Sequence, residues 1–78
     1  MNYTYTISKE ADNDAFDKIC LEIEKGLKSI GKEELLIDVD GSLIQRYRVE
    51  NKLIKVFNDY EVDAVYVDSD IDLSDIVN

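Results

Sequence analysis

The chain carries 18 acids against 9 bases and no histidine in 78 residues, a formal net charge of −9. That length supplies one domain, residues 1–78, which buries about 60–65% of the surface its unfolded form exposes and leaves little room for a deep substrate cavity beside the core. Without histidine there is no Ser-His-Asp or Cys-His arrangement and no imidazole metal ligand, so the expectation is a protein that is not an enzyme and takes no cofactor or metal.

Residues 2–8, NYTYTIS, place Tyr3, Tyr5 and Ile7 on one side and polar residues on the other, the two-residue period of a first strand. From Asp12 to Ile30 the apolar Phe16, Ile19, Cys20, Ile23, Leu27 and Ile30 recur at three- and four-residue steps. That is the stripe of an amphipathic helix, with acids early, lysines late and Gly31 placed to end it. ELLIDV, the pair Asp40-Gly41 and SLIQRYRV then predict a hairpin, because Asp-Gly takes the positive φ values of a two-residue turn. Such a turn sets Leu35, Ile37 and Val39 on the face of Ser42, Ile44 and Arg46, whereas hydrophobic matching favours Leu43, Tyr47 and Val49; a bulge would reconcile the two. Leu53, Ile54, Phe57 and Tyr60 fall at helical spacing and predict a second helix over 50–59, and VDAVYV, residues 62–67, predicts the last strand. The order β-α-β-β-α-β is that of an α+β, ferredoxin-like fold, a four-stranded antiparallel sheet with two helices on one face. The tail DSDIDLSDIVN has two readings: extended, with Asp68, Asp70 and Asp72 on one face, or, the one favoured, a short final helix with Ser69 and Asp72 as its capping box that docks Leu73, Ile76 and Val77.

The longest apolar run, Ala64 to Val67, is shorter than a membrane span of about 20 residues or the about 7–15 of a signal peptide. The single Cys20 has no partner for an internal disulfide and reads as a small buried hydrophobe. Together these point to a cytoplasmic protein.

Charge is unevenly placed. Residues 1–55 hold all the bases, whereas residues 56–78 hold Asp59, Glu61, Asp63, Asp68, Asp70, Asp72 and Asp75 with no base. Such an end can be a solvated surface that keeps a small protein soluble, as charge runs usually are; as a recognition surface it opposes nucleic acid and anionic membranes and rewards a basic protein partner. Carboxylates a few ångströms apart imitate the charge line of DNA, which carries one phosphate per about 3.4 Å of each strand.

Two stretches resemble catalytic motifs. LLIDVDGSLI resembles the first motif of haloacid-dehalogenase-type phosphatases, which would make Asp38 a nucleophile and Asp40 an acid/base beside magnesium. The 36 residues after Ser42 are too few for that family's doubly wound core and begin as a returning strand, so the Asp-Gly turn is the reading taken. DSDIDL, residues 68–73, resembles the metal-binding aspartates of minimal nucleotidyltransferases without the upstream Gly-Ser helix start that family needs.

The resulting expectation is a small acidic inhibitor that occupies a basic, nucleic-acid-binding surface of a partner protein. In size, charge and compactness it is comparable to DNA mimics, phage anti-defence proteins such as anti-CRISPR proteins, and immunity proteins. Its binding residues would be Asp59, Glu61, Asp63, Tyr66, Asp68, Asp70, Asp72 and Asp75, with Tyr60, Tyr66 or Ile71 as apolar anchors. The alternative is a self-associating assembly module that pairs through an edge strand or a sheet face as a homodimer.

Overall fold

Strand periodicity governs more of this chain than helical periodicity does. In the computed structural model, which describes residues 2–77, the elements are β1 (Tyr3–Ser8), α1 (Asn13–Gly26), β2 (Gly31–Lys32), β3 (Leu36–Ile37), β4 (Leu43–Val49), β5 (Lys52–Asp59) and β6 (Ala64–Ser69). All strands pair antiparallel in one sheet of order β1-β6-β5-β4-β2, with β3 also on β4. Strands β4, β5 and β6 form a meander, β1 flanks β6, and α1 packs on one face only. Phe16, Ile19 and Ile23 of α1 meet Tyr47, Ile54, Val56, Val65 and Val67 there, all buried. Among the described residues no helix covers the other face.

The ferredoxin-like expectation is therefore corrected: among the described residues six strands and one helix form, not four strands and two helices. The second helix expected over 50–59 is strand β5, the centre of the sheet. Ile54, Val56 and Asn58 point to the core and are buried, while Leu53, Lys55, Phe57 and Asp59 alternate outward. A central strand carries apolar residues on both faces, so Leu53, Ile54 and Phe57 imitate a helical stripe, and the polar Asn58 breaks the inner alternation. The turn before it offers no glycine either. Val49 pairs with Lys52, and Glu50 itself takes the left-handed region at φ 59.

Helix α1 follows the expected stripe, but it ends at Gly26 rather than at Gly31. Asp12 caps its start, its carboxylate accepting from the Asp14 and Ala15 amides at 2.9 and 3.3 Å. At the other end, a Cβ on Gly26 would lie 2.8 Å from Ile76 Cγ1, so glycine lets the tail pack against the last turn. The Asp40-Gly41 hairpin forms with a longer loop than a two-residue turn. The Asp38 amide donates to the Ser42 carbonyl at 2.9 Å and the Gly41 amide to the Asp38 carbonyl at 3.0 Å, with Gly41 at φ 88. This three-residue loop, a turn closed by Gly41 in the left-handed region as a G1 bulge, pairs Ile37 with Leu43 and turns Leu43, Gln45 and Tyr47 toward α1, the hydrophobic register that a bulge was expected to allow.

The last strand lies two residues beyond its expected place. In the tail Asp72, not Ser69, caps a single turn, accepting from the Ser74 amide at 2.9 Å. The Ile76 and Val77 amides donate to the Leu73 carbonyl. Leu73 is buried as expected, and the Tyr5 hydroxyl holds the segment, accepting from the Leu73 amide at 2.8 Å and donating to Asp72 at 3.0 Å.

Tyr47, fully buried on β4, donates its hydroxyl to Glu24 of α1, which also pairs with Lys32 at 3.3 Å. That hydrogen bond is the main reason the Glu24 carboxyl is held below its ordinary range. A carboxyl depressed in the folded state stabilises the fold above its unfolded pKa and loses that contribution as pH falls through the folded value. Tyr47→Phe is therefore expected to move Glu24 back up in an NMR titration and to cost about 1 kcal/mol near neutral pH. The deficit should shrink in acid, and an unmoved Glu24 would show that the contact is idle in solution.

Candidate functional site

Four segments deliver carboxylates to one end of the sheet. Strand β1 leaves the sheet there into Glu10 and the Asp12 cap, and α1 starts with Asp14. The β3–β4 loop brings Asp38 and Asp40, and the β5–β6 turn brings Asp59, Glu61 and Asp63. The segments are tied together by side chains. Asp63, at φ 57, accepts from the Ala11 amide at 2.8 Å, and the Tyr60 amide donates to Ser42 Oγ at 2.9 Å. Buried Asn58 accepts from the Asp12 amide at 3.0 Å and donates to Asn13 Oδ1 at 2.7 Å. Lys9 is the one base in these segments.

Several of these carboxylates use one oxygen to shape their own loop. Asp40 Oδ1 accepts from the Ser42 amide at 2.9 Å, and this bond is the main reason its carboxyl lies below the usual carboxylate range. Asp59 Oδ1 accepts from the Glu61 and Val62 amides, and Asp38 Oδ1 from the Val39 amide. Asp38, Asp40, Asp59 and Glu61 line one depression of ≈ 140 Å³ between the two loops. Beside them stand apolar side chains left in water: Ile37 is 69%, Val39 102% and Val62 62% exposed. Carboxylates and exposed apolar side chains carried on the same segments can bind a basic protein surface; among the described residues no group of three or more acids or cysteines is arranged to hold a metal.

The structure divides the residues singled out from the sequence. Asp59, Glu61 and Asp63 belong to this acidic end. Strand β6 then carries the chain about 20 Å away, so Asp70, Asp72 and Asp75 lie past its other end and in the tail. There Asp70 accepts from the Leu53 amide at 3.0 Å and Asp72 caps the tail turn. Tyr66 and Asp68 sit between, on the sheet face opposite α1. Asp68 accepts from Thr4 Oγ1 at 2.8 Å, and Tyr66 stacks on Phe57 with ring centroids 4.6 Å apart and an interplanar angle of 13°. The Tyr66 hydroxyl donates to Asp59 at 3.3 Å, and burial, then Asp59, pushes its pKa up. Of the expected apolar anchors, Tyr60 is half exposed beside Gly41, while Ile71 packs against the core.

Sequence reasoning missed Asp12, Asp14, Asp38 and Asp40 as members of the acidic surface, and Ile37, Val39 and Val62 as its apolar companions. The available signal was LLIDVD, where an apolar run passes into alternating acids, which suits a strand that slips out of the core. Cys20 is buried on α1, and desolvation pushes its thiol pKa up, which keeps it unreactive.

The face opposite α1 is different in character. The register aligns Ile44, Phe57, Tyr66 and Thr6 in one row, and Arg46, Lys55, Asp68 and Thr4 in the next. Glu33 lies 3.4 Å from Arg46 and 3.0 Å from Arg48, hydrogen-bonding only the second. This face carries Arg46, Arg48 and Lys55 with Glu33, Asp59 and Asp68, while Asp38, Asp40 and Glu61 border its Ile44–Phe57 row and Asp70 lies beside Leu53 and Lys55.

Comparison with family models, curated proteins and solved structures gives no significant match to this chain.

Proposed function

We propose that this protein acts by binding, its acidic end occupying a basic surface that a partner protein uses for nucleic acid. The convergence of carboxylates from four separate segments at one end of the sheet, on segments that also expose Ile37, Val39 and Val62, supports this reading. A run of acids along one strand would give only alternate outward charges; loops meeting at one end give a two-dimensional patch. Because Asp38, Asp40 and Asp59 are hydrogen-bonded to backbone amides, their orientation is set before a partner arrives, which lowers the entropy lost on association. The charges steer the encounter and the exposed apolar side chains supply contact area, the division of labour usual in specific interfaces. Inhibition follows by exclusion, since the occupied basic groove has no free face for phosphates.

Asn and Gln keep the oxygen acceptors that shape the loops while removing charge, so one variant isolates the electrostatic claim. Asp38→Asn, Asp40→Asn, Asp59→Asn and Glu61→Gln combined should fold as the parent does. As bait in host lysate, the parent is expected to retain a basic nucleic-acid-binding protein at about 50 mM salt and release it at about 500 mM. The same protein should be displaced by duplex DNA and bound at least about tenfold more weakly by the variant. Parent and variant retaining the same proteins at both salt concentrations would overturn the proposal.

A further inference from the structure

We infer that the cleft between α1 and residues 33–35 is a binding site for an arginine side chain presented by a protein partner. The kind of partner rests on the function proposed above, whereas the side chain taken up follows from the cleft alone.

An irregularity in the sheet makes the cleft. Lys32 pairs with Tyr47 and Leu36 with Ile44, so Glu33, Glu34 and Leu35 stand against only Gln45 and Arg46. With one residue more than the facing strand, this segment bows away from β4. Gln45 spans the gap, its Nε2 donating to the Glu33 carbonyl at 2.6 Å. Between the bowed segment and α1 lies a cavity of ≈ 360 Å³, within the range of about 300–1,000 Å³ that small-ligand pockets occupy. Buried Phe16 and Gln45 belong to its floor, and exposed Leu21 of α1 and Leu35 of the bowed segment are its apolar walls.

The polar groups of the cleft select a cation with several donors. Gln45 is only 5% exposed, yet both of its side-chain hydrogen bonds run from Nε2 to carbonyls, and among the described residues its Oε1 accepts none. A nearly buried acceptor without a donor is what a ligand that brings a donor satisfies. Glu24 uses the single oxygen Oε2 for both Tyr47 and Lys32, and among the described residues its Oε1 has no partner either. Asp17 adds a second carboxylate at the rim against one base, Lys32, so the cleft is net negative and disfavours an anion. A guanidinium is planar, carries five N–H donors and can donate to more than one of these oxygens while its aliphatic stem lies between Leu21 and Leu35. A lysine ammonium is compact and strongly hydrated, which suits apolar walls less well. The position fits as well. Asp17 lies four residues, about 6 Å, along α1 from Asn13 at the acidic end, so a basic surface seated on that end brings its side chains to the mouth of the cleft.

The probe is an acetylated and amidated Gly-Arg-Gly tripeptide, titrated into the intact chain at about 100 mM salt and followed by amide chemical shifts. Saturable shifts centred on Asp17, Leu21, Glu24 and Gln45 are expected, with a dissociation constant on the order of 1 mM. The citrulline counterpart keeps the shape without the charge and should give no saturable shift, and the lysine counterpart should bind at least about threefold more weakly. Asp17→Lys should weaken the arginine peptide at least about fivefold, whereas Glu22→Lys, the same charge change on the other flank of α1, should leave it within about twofold. Should Asp17→Lys fail to fold, the citrulline and lysine comparisons on the parent decide. Shifts that grow without saturation, or that centre on Asp38, Asp40 and Asp59, overturn the inference. So does equal binding of the citrulline or lysine counterpart, or an equal effect of the two substitutions. Because no host protein takes part, a saturable titration beside a failed lysate experiment strikes the acidic-end reading alone, and the reverse strikes the arginine site alone.

Discussion

Asn58→Ala is expected to cost about 2–4 kcal/mol, a large share of the roughly 4–12 kcal/mol that a chain of this length has at about 0.05–0.15 kcal/mol per residue. The side chain is fully buried on the central strand and joins it to the start of α1 through two hydrogen bonds, from the Asp12 amide and to Asn13 Oδ1. Alanine removes both at once. It leaves the Asp12 N–H without its partner and opens a void the size of an amide, and the two penalties add because the sheet and helix on either side cannot collapse together without moving α1. Urea unfolding should show a lower midpoint at unchanged slope. A loss below about 0.5 kcal/mol would mean that water replaces the amide without penalty and that the helix start is held by Asp12 alone. Because the same bonds bring the β5 end and the helix cap together, the variant should also loosen the acidic end, seen as faster hydrogen exchange at Ala11 and Asp12.

Leu73→Ala carries a comparable expected cost, about 2–4 kcal/mol. Leu73 is 1% exposed and belongs to the core although it lies outside every regular element. Its carbonyl accepts from the Ile76 and Val77 amides, and its own amide is held by Tyr5, so the turn and the core contact depend on one residue. Truncation should therefore release residues 70–77 as a unit. Hydrogen exchange at Ile76 and Val77 should rise toward the unstructured rate while the amides of β5 keep most of their protection. Loss of less than about 1 kcal/mol with unchanged exchange in the tail would show that Ile76 against Gly26 suffices to dock it.

How much of this was legible in the sequence depended on whether an element has one buried face or two. Helix α1 and strand β1 each bury one side, and Phe16, Ile19, Cys20 and Ile23 in the first and Tyr3, Tyr5 and Ile7 in the second announce it by period. Strand β5 is covered by α1 on one face and bears Leu53 and Phe57 on the other. Its apolar residues therefore lose the period of two, and the turn that starts it uses Glu50 in a conformation usually left to glycine or asparagine. The hairpin at Asp40-Gly41 was readable, but its loop length was set by what Leu43 and Tyr47 needed to bury. The site was legible as an excess of charge and illegible as a place. Local density along the chain groups Asp63 with Asp68, Asp70 and Asp72, whereas the fold separates them by the length of β6 and brings Asp63 instead to Ala11. Convergence of Asp12, Asp38, Asp40 and Asp59 requires three chain reversals, and no local pattern encodes that.

Among the described residues strand β1 pairs with β6 alone, with Tyr3 opposite Ser69 and Ser8 opposite Val65. Closing that pair means closing a loop that takes in nearly the whole chain, and the entropy of doing so must be met before any of its contacts form. The helix and the β4–β5–β6 meander can assemble from neighbours in sequence, but β1 must wait. It leaves the ribosome before β6 does, so its uncharged NYTYTIS edge is expected to stay unpaired until that partner is made. A sequence of alternating tyrosine and threonine is a good template for pairing with other chains, and the interval before β6 arrives is when this otherwise strongly charged protein is open to misassembly.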